Sequence, residues 1–374
     1  MRLLRLRETP VEGLPHGYSV ARRLPVKLIN LLGPSLERIF LRPCCRRIAI
    51  DRPIFVIGAF RSGTTLLEQI LAAHPQTGYF WFGTHICPRA PVIAHWATRV
   101  SQKIGHLDRA SKPFLHNPRL EFTLFSPCEC EQLWSRIGQS AWDNDRADLT
   151  LGADFSAPRF ERDLFDLIRR HLFLHHAGRF VHKNPVNSLR VGYLHKLFPD
   201  ARFIHIVRRP IDAILSHRRT AARLQQTFAA DPLLQQLFEE QIRLDVLSLR
   251  IPTRTWTQTL ALDREHPLLG IANQWKDLQL AIVECVERTP GLAAQVLRLC
   301  YADLVSRPNE ILPRIWRFVD LDDAHAAAIS RAYTPRLSPP PAPALSDEER
   351  ALLPRIRQIV APAVEHKLMP PCAY

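Results

Sequence analysis

The first clear rhythm in the chain is a four-residue apolar run, Ile54-Phe55-Val56-Ile57. A polar, glycine-bearing turn follows it, and then Leu66, Leu67, Ile70 and Leu71 recur at helical spacing up to His74-Pro75. A short continuous apolar run bounded by a turn fits a strand buried on both faces, and the i, i+3, i+4 recurrence fits a helix packed on it. The alternation then repeats. A helical pattern over 158–175 precedes a strand at 179–182, and another over 188–198 precedes a strand at 202–207. Pro210 is placed to open a helix over 211–228, since its missing N–H costs nothing in a first turn. Helices are predicted over 232–249 and 271–287, a last strand over 296–301, and a helix over 308–319. Ser346 with Glu349 three residues on forms a capping box that opens a closing helix. Strands alternating with helices predict an α/β domain with a central, mostly parallel sheet between helical layers. No internal repeat is visible.

Two stretches depart from this rhythm. Residues 76–150 carry prolines at 88, 91, 113, 118 and 127 and many aromatics, which predicts an irregular insertion draped over a site. Residues 1–50 read as an extension holding an amphipathic helix over 24–41, interrupted near Gly33-Pro34. The expected organisation is a basic extension at 1–50, an α/β domain at 51–334 containing the 76–150 insertion, and a Pro-rich linker with a C-terminal helix at 335–374.

Composition narrows the class. With 374 residues, 46% apolar and 23% charged, the chain is an ordinary globular sequence and not a disordered, collagenous or coiled-coil one. It has no apolar run of the roughly 18 residues that a spanning helix needs. The first 25 residues lack a signal peptide's apolar segment. A soluble, cytoplasmic protein is expected. The net charge is +14, and ten basic residues against Glu8, Glu12 and Glu37 put +7 of it in the first fifty residues. Such an arm is a candidate for peripheral contact with an anionic membrane surface. It carries no nucleic-acid reading motif, and nucleic acid is not expected as a partner. Only seven of the fifty cations are lysine, so an arginine-rich coding bias also accounts for the charge. The eight cysteines and sixteen histidines show no metal-ligand spacing, and reduced thiols are expected.

The candidate chemistry lies in the turn after the first strand, Gly58-Ala59-Phe60-Arg61-Ser62-Gly63-Thr64-Thr65. Against the nucleotide phosphate loop G-x-x-x-x-G-K-[ST], Gly58, Gly63 and Thr65 fit, but Thr64 stands at the lysine position. The backbone nest and helix N-terminus that hold a phosphate are therefore expected. The lysine that reaches a nucleotide's terminal phosphates is missing, and Arg61 supplies a cation inside the loop instead. The strand at 202–207 ends in Arg208-Arg209, where a triphosphatase would place an Asp for Mg²⁺. This is an arginine-lined anion cradle with no evident metal arrangement.

Here the chain resembles the sulfotransferase superfamily, whose sulfuryl donor is 3′-phosphoadenosine 5′-phosphosulfate. Arg61-Ser62-Gly63-Thr64-Thr65-Leu66-Leu67 is similar to the family's 5′-phosphosulfate loop as written in bacterial members and tyrosylprotein sulfotransferases. Phe203–Pro210 with Ser216 resembles its 3′-phosphate site. His182-Lys183-Asn184-Pro185 resembles its lysine-bearing strand end, and Tyr301-Ala302-Asp303-Leu304 its Tyr-Glu-Asp-Leu segment. Four blocks in family order span residues 54–320. The resemblance implies a P-loop-type three-layer fold and transfer of a sulfuryl group to a hydroxyl on a glycan, lipid or small metabolite, with no metal required. It implies that Arg61, Ser62, Gly63, Thr64, Thr65 and Leu66 hold the 5′-phosphosulfate, and that Arg208 and Ser216 read the 3′-phosphate. Tyr301 would lie on the adenine side, and Lys183 would act on the transferring group. For the general base two candidates stand open. Many relatives have Glu-Thr-His where this chain has Gly83-Thr84-His85, which leaves His85; Glu129, in a Pro-x-Glu-x-Glu segment with Glu131, is the other. The lost Glu at Gly83 also keeps a non-catalytic binder of adenosine bisphosphate or another polyanion in view. A P-loop nucleotide kinase is the remaining alternative, weakened by the missing lysine and Asp.

Overall fold

The computed structural model describes residues 23–104, 112–114, 117–139, 148–230 and 250–371. The helix expected over 232–249 and the first 22 residues of the basic extension lie outside them.

Five parallel strands form the central sheet: β1 (Ile54–Ile57), β2 (Thr77–Gly78), β5 (Arg179–Lys183), β6 (Arg202–Val207) and β7 (Val296–Cys300), in the order β2-β5-β1-β6-β7. A separate antiparallel hairpin joins β3 (Lys112–Phe114) to β4 (Asn117–Phe122). Ile54 aligns with Val181 on one side and Arg202 on the other, so β1 is central. The side-chain period of two then sorts the core. Phe55 and Ile57 point into a layer with Phe180, Phe203 and the helices α4 (Pro158–His175) and α5 (Val191–Leu197). Ile54 and Val56 point the other way, onto α2 (Thr64–Ala72) and α8 (Pro308–Val319). Because both faces are covered, the strands read as unbroken apolar runs and not as alternations. A second cluster packs α6 (Pro210–Ala230), α7 (Pro267–Arg288) and the closing helix α9 (Asp347–Val364) together; α9 opens with the expected Ser346–Glu349 capping box. The result is the expected three-layer α/β fold.

The connection leaving β1 runs toward the β2 edge and the one leaving β6 runs toward the β7 edge, so the sheet has its switch point between β1 and β6. In open α/β sheets ligands bind in the crevice beyond the strands' carboxyl ends at that point. The Gly58–Thr65 turn follows β1, Lys183 closes β5, Arg208 follows β6 and Tyr301 follows β7.

Three sequence expectations change. The stretch at 76–150 is more regular than its prolines suggest: Pro91 sits at the start of a 13-residue helix, α3 (Pro91–Lys103), where proline favours initiation. The N-terminal helix α1 (Arg23–Leu36) runs through Gly33-Pro34, and the irregularity falls later, in a π-helical turn at Glu37–Leu41. Tertiary contacts override the local breakers. Val26 and Ile29 pack on a cluster containing Trp81 and Cys87, and Asn30 donates to the Ile86 carbonyl at 3.2 Å. Finally, Cys300 is disulfide-bonded, against the expectation of reduced thiols. Six other cysteines among the described residues are free, and burial pushes the Cys45 and Cys87 thiols up to about 11.

Candidate active site

The turn after β1 is shaped by three positive-φ residues, Gly58 at +146°, Arg61 at +65° and Gly63 at +94°. A Cβ on Gly63 would sit 2.3 Å from the Tyr301 ring, so only glycine allows that ring to close on the loop. Ser188 fastens the loop's start. Its hydroxyl accepts from the Gly58 N–H at 3.0 Å and donates to the Gly58 carbonyl at 3.2 Å. Ser62 is buried, and its hydroxyl has no hydrogen-bond partner, a costly state for a buried polar atom that a ligand would relieve.

The loop opens onto a cavity of about 650 Å³. Arg61, Gly63, Thr64, Thr65 and Leu66 line one wall, with Arg208 and Tyr301 beside them; Tyr79, Phe125 and Pro127 form a second wall. Arg336 and Ser338 contribute a third, although the Pro-rich stretch at 335–343 reads as a mere linker. The described lining holds three arginines and no carboxylate. Arg208 donates to the Arg61 carbonyl at 3.2 Å and stands over the Tyr301 ring at 5.1 Å. Arg61 Nε donates to Ser216 Oγ at 3.1 Å. Burial, then the neighbouring Arg208 charge, lowers the Arg61 guanidinium to about 10, and burial also lowers Arg208. Cations held together against their own repulsion make a site that an anion stabilises.

Lys183, Glu129 and His85 do not line this cavity. Lys183 pairs with Glu129, and His85 contacts Cys128, the residue before Glu129. Lys183 is buried and its ammonium pairs with Glu129; their side chains are 5% and 42% exposed, so the carboxylate is the accessible partner. Burial works against the ammonium, but Glu129 and Glu68 outweigh it and hold the Lys183 pKa above its ordinary value. The backbone of Glu129 is fixed by His182, whose Nδ1 lies 3.2 Å from the Asn187 amide and whose Nε2 lies 3.0 Å from the Glu129 carbonyl. Burial lowers His182 to about 4, so the ring is neutral and structural. His85 contacts Cys128; burial opposes its charge, the Cys128 contact prevails, and its pKa rises. The Cys128 thiol is pulled well below its ordinary range by Cys130 and then, against burial, by His85.

Glu131 and Glu129 part company. Glu131 is buried in a pair with Arg190 at 2.7 Å, and Arg190 also stacks 3.8 Å from the Trp134 ring centre. This is a structural anchor. Gly83 also gains a physical reason: a Cβ there would lie 2.0 Å from the buried Trp81 ring, so no glutamate fits without moving it.

Sequence reasoning missed Glu68. It lies on α2 one turn after Thr64, fully buried, and accepts the Lys183 backbone N–H at 2.9 Å. Burial raises it to about 8, against the opposing pull of Lys183. A charged residue inside an otherwise apolar helical repeat was the available signal. Outside the cavity, His74, Asp322 and His325 bring three metal-capable side chains within 4.8 Å. Yet His74 Nδ1 accepts from the Gln76 N–H at 3.2 Å, which leaves Nε2 as the donor facing Asp322 and makes it a satisfied structural histidine.

A profile of the sulfotransferase family matches residues 53–325. Among curated proteins, an omega-hydroxy-beta-dihydromenaquinone-9 sulfotransferase of Mycobacterium tuberculosis is 28% identical over 197 residues, 48% of each chain. A nodulation protein, NoeE, of Sinorhizobium fredii is 24% identical over 270 residues, 72% of this chain and 50% of its own. The chain thus spans about half the length of these curated relatives. Among solved structures, sulfotransferase STF9 from Mycobacterium avium superposes with a TM-score of 0.58 at 17% identity, covering 97% of this chain and 88% of its own. STF1 from Mycobacterium tuberculosis gives 0.53 at 18% identity, covering 94% and 87%; at such identities the likeness shows the shared fold. With its phosphate-type loop, arginine-lined cavity and a profile match over most of its length, the chain belongs to the sulfotransferase family.

Proposed function

We propose that the protein transfers a sulfuryl group from 3′-phosphoadenosine 5′-phosphosulfate to a hydroxyl acceptor. The observation that carries this is an arginine-lined cavity, with no carboxylate in its described lining, at the sheet's switch point beside a buried lysine paired with an accessible glutamate. The residues fit the donor: an orphaned Ser62 hydroxyl and a helix N-terminus suit the 5′-phosphate, and the Arg61–Arg208–Ser216 group suits a second, separate phosphate. That second site would distinguish the donor from ATP. Arg61, bonded to Ser216, belongs with the 3′-phosphate group as much as with the loop. Tyr301 closes over Gly63 toward the base.

The bound donor supplies an activated sulfuryl group whose transfer breaks the S–O bond to the 5′-phosphate. Catalysis by this chain is then positioning and charge stabilisation. Glu129 takes the acceptor's proton as the new O–S bond forms, and Lys183 offsets negative charge at the transferring group. His85, engaged with Cys128, orients the segment that carries Glu129. The relative named for a dihydromenaquinone acceptor supports a hydroxyl on a lipid-like molecule, among the glycans, lipids and metabolites in view.

Metal-free calorimetric titration tests the donor site, with adenosine 3′,5′-bisphosphate against ADP on wild type and Arg208→Ala. Tight binding of the bisphosphate, lost in the variant, supports the proposal. A preference for ATP with Mg²⁺ overturns it. Gly83 favours one second reading, a binder that has lost its base; donor binding with no transfer to a broad acceptor panel would establish it.

A further inference from the structure

Ten large apolar side chains are exposed among the described residues, and nine of them gather on two packed helices. Leu28, Leu31, Leu32 and Leu36 on α1 continue into Ile39 and Phe40 on the π turn, a single stripe at i, i+3, i+4 spacing. Trp96, Val100 and Ile104 make a second stripe along α3 and its end. The exposure is large: 72% for Leu31, 68% for Phe40 and 62% for both Ile39 and Ile104.

The helix is held with this face outward. Its inner side docks through Val26, Ile29 and Asn30. Glu37, buried, accepts from the Val92 and Ile93 N–H groups at 2.8 and 2.9 Å, capping the start of α3, and pairs with Arg170 at 2.9 Å. A surface helix of a globular protein carries charge on its outer face. This one is apolar on both.

We propose that this face docks the protein onto an anionic lipid bilayer as an interfacial, non-spanning anchor. The charge decides the occupant. Residues 23–41 and 91–104 contain one acid, the buried Glu37, whereas Lys27, Arg38, Arg99 and Lys103 are exposed around the stripes. Residues 1–22 add four arginines against two glutamates, so they too are cationic. A second copy of the chain would bring like charges together, whereas an anionic headgroup layer complements them. No helix among the described residues is long and apolar enough to cross a membrane. Apolar side chains set in a basic rim are the composition of a helix lying in the interface. The docking face also adjoins the cleft: Arg99 stands 4.6 Å over the Phe125 ring, which lines the cavity. A docked molecule would take an acceptor hydroxyl carried by a membrane lipid, a consequence that rests on the sulfotransferase reading.

Flotation of the full chain with phosphatidylcholine vesicles, with and without about a third phosphatidylglycerol, tests the docking itself. The wild type is expected to float with the anionic vesicles. Leu31→Ser/Ile39→Ser/Phe40→Ser should weaken that binding by about tenfold or more, since three buried apolar side chains are lost. Its thermal melt and its affinity for adenosine 3′,5′-bisphosphate should stay unchanged. Lys27→Ala/Arg38→Ala/Lys103→Ala should lose the preference for anionic vesicles. Wild type that stays in solution with anionic vesicles overturns the proposal, as does a triple serine variant that floats like wild type. Concentration-dependent self-association abolished by the serine variant, without vesicle binding, would assign the face to a second copy. Failure of the sulfotransferase reading would appear in the calorimetry and leave the flotation result standing.

Discussion

At Gly83 one absent side chain decides where a proton acceptor can sit. The Trp81 ring fills the space that a Cβ would need, and that ring is 1% exposed and boxed by His95 and Phe125. Gly83→Glu should therefore cost about 1–3 kcal/mol by overpacking and should not raise activity, as denaturant unfolding and a transfer assay would show. In the proposed mechanism the burden falls on Glu129. Glu129→Gln should lower the transfer rate by about 10²–10⁴-fold while leaving bisphosphate affinity within about twofold. Arg208→Ala should do the converse, weakening the bisphosphate by about 10- to 100-fold through loss of a charge-assisted contact. Glu68 adds a pH signature. Its carboxyl titrates near 8 when folded and near its ordinary 4.5 when unfolded, so between those values the folded state holds the extra proton. Its contribution to stability thus falls as pH rises through that window. Glu68→Gln should remove the fall, and melting temperatures of variant and wild type should diverge toward pH 8.

Among the elements, the strands and the loop were legible because each is locally dictated. Ile54–Ile57 has one reading as a buried strand, and Gly58, Gly63 and Thr65 mark the turn whatever surrounds them. The pairing of Lys183 with Glu129 was not legible, because it depends on His182 and Asn187 fixing a backbone carbonyl more than fifty residues away in sequence. Nor was the wall built by Arg336, since a Pro-rich stretch reads the same whether it spans solvent or lines a cleft. Helix α1 shows the same limit: its local breakers at Gly33-Pro34 yield to the contacts of its inner face. Those contacts make a sharp prediction. Glu37→Ala strands Arg170 and two N-terminal amides of α3, and should cost about 3 kcal/mol, read by denaturant unfolding and by faster proteolysis within residues 23–41.

Over the whole molecule, titration sets an acid limit. His95, His175, His182 and His205 are each lowered to about 4, all first by burial. Their unfolded counterparts bind protons below about 6.5, so the unfolded state gains protons as pH falls from there toward 4. Stability from these four groups is complete above that window and lost on acidification, and a melting series from pH 7 to pH 4 should show a steep decline. The placement of the site at four strand ends has another consequence. Gly58, Lys183, Arg208 and Tyr301 stand at the ends of four different strands, and they become neighbours only once β5, β1, β6 and β7 lie in register. Peeling the edge strand β7 away would carry the Tyr301 ring off Gly63 while most of the helices stayed formed. Nucleotide affinity is therefore a gauge of sheet closure, and in a denaturant series it should vanish at or before the helical signal, never after it.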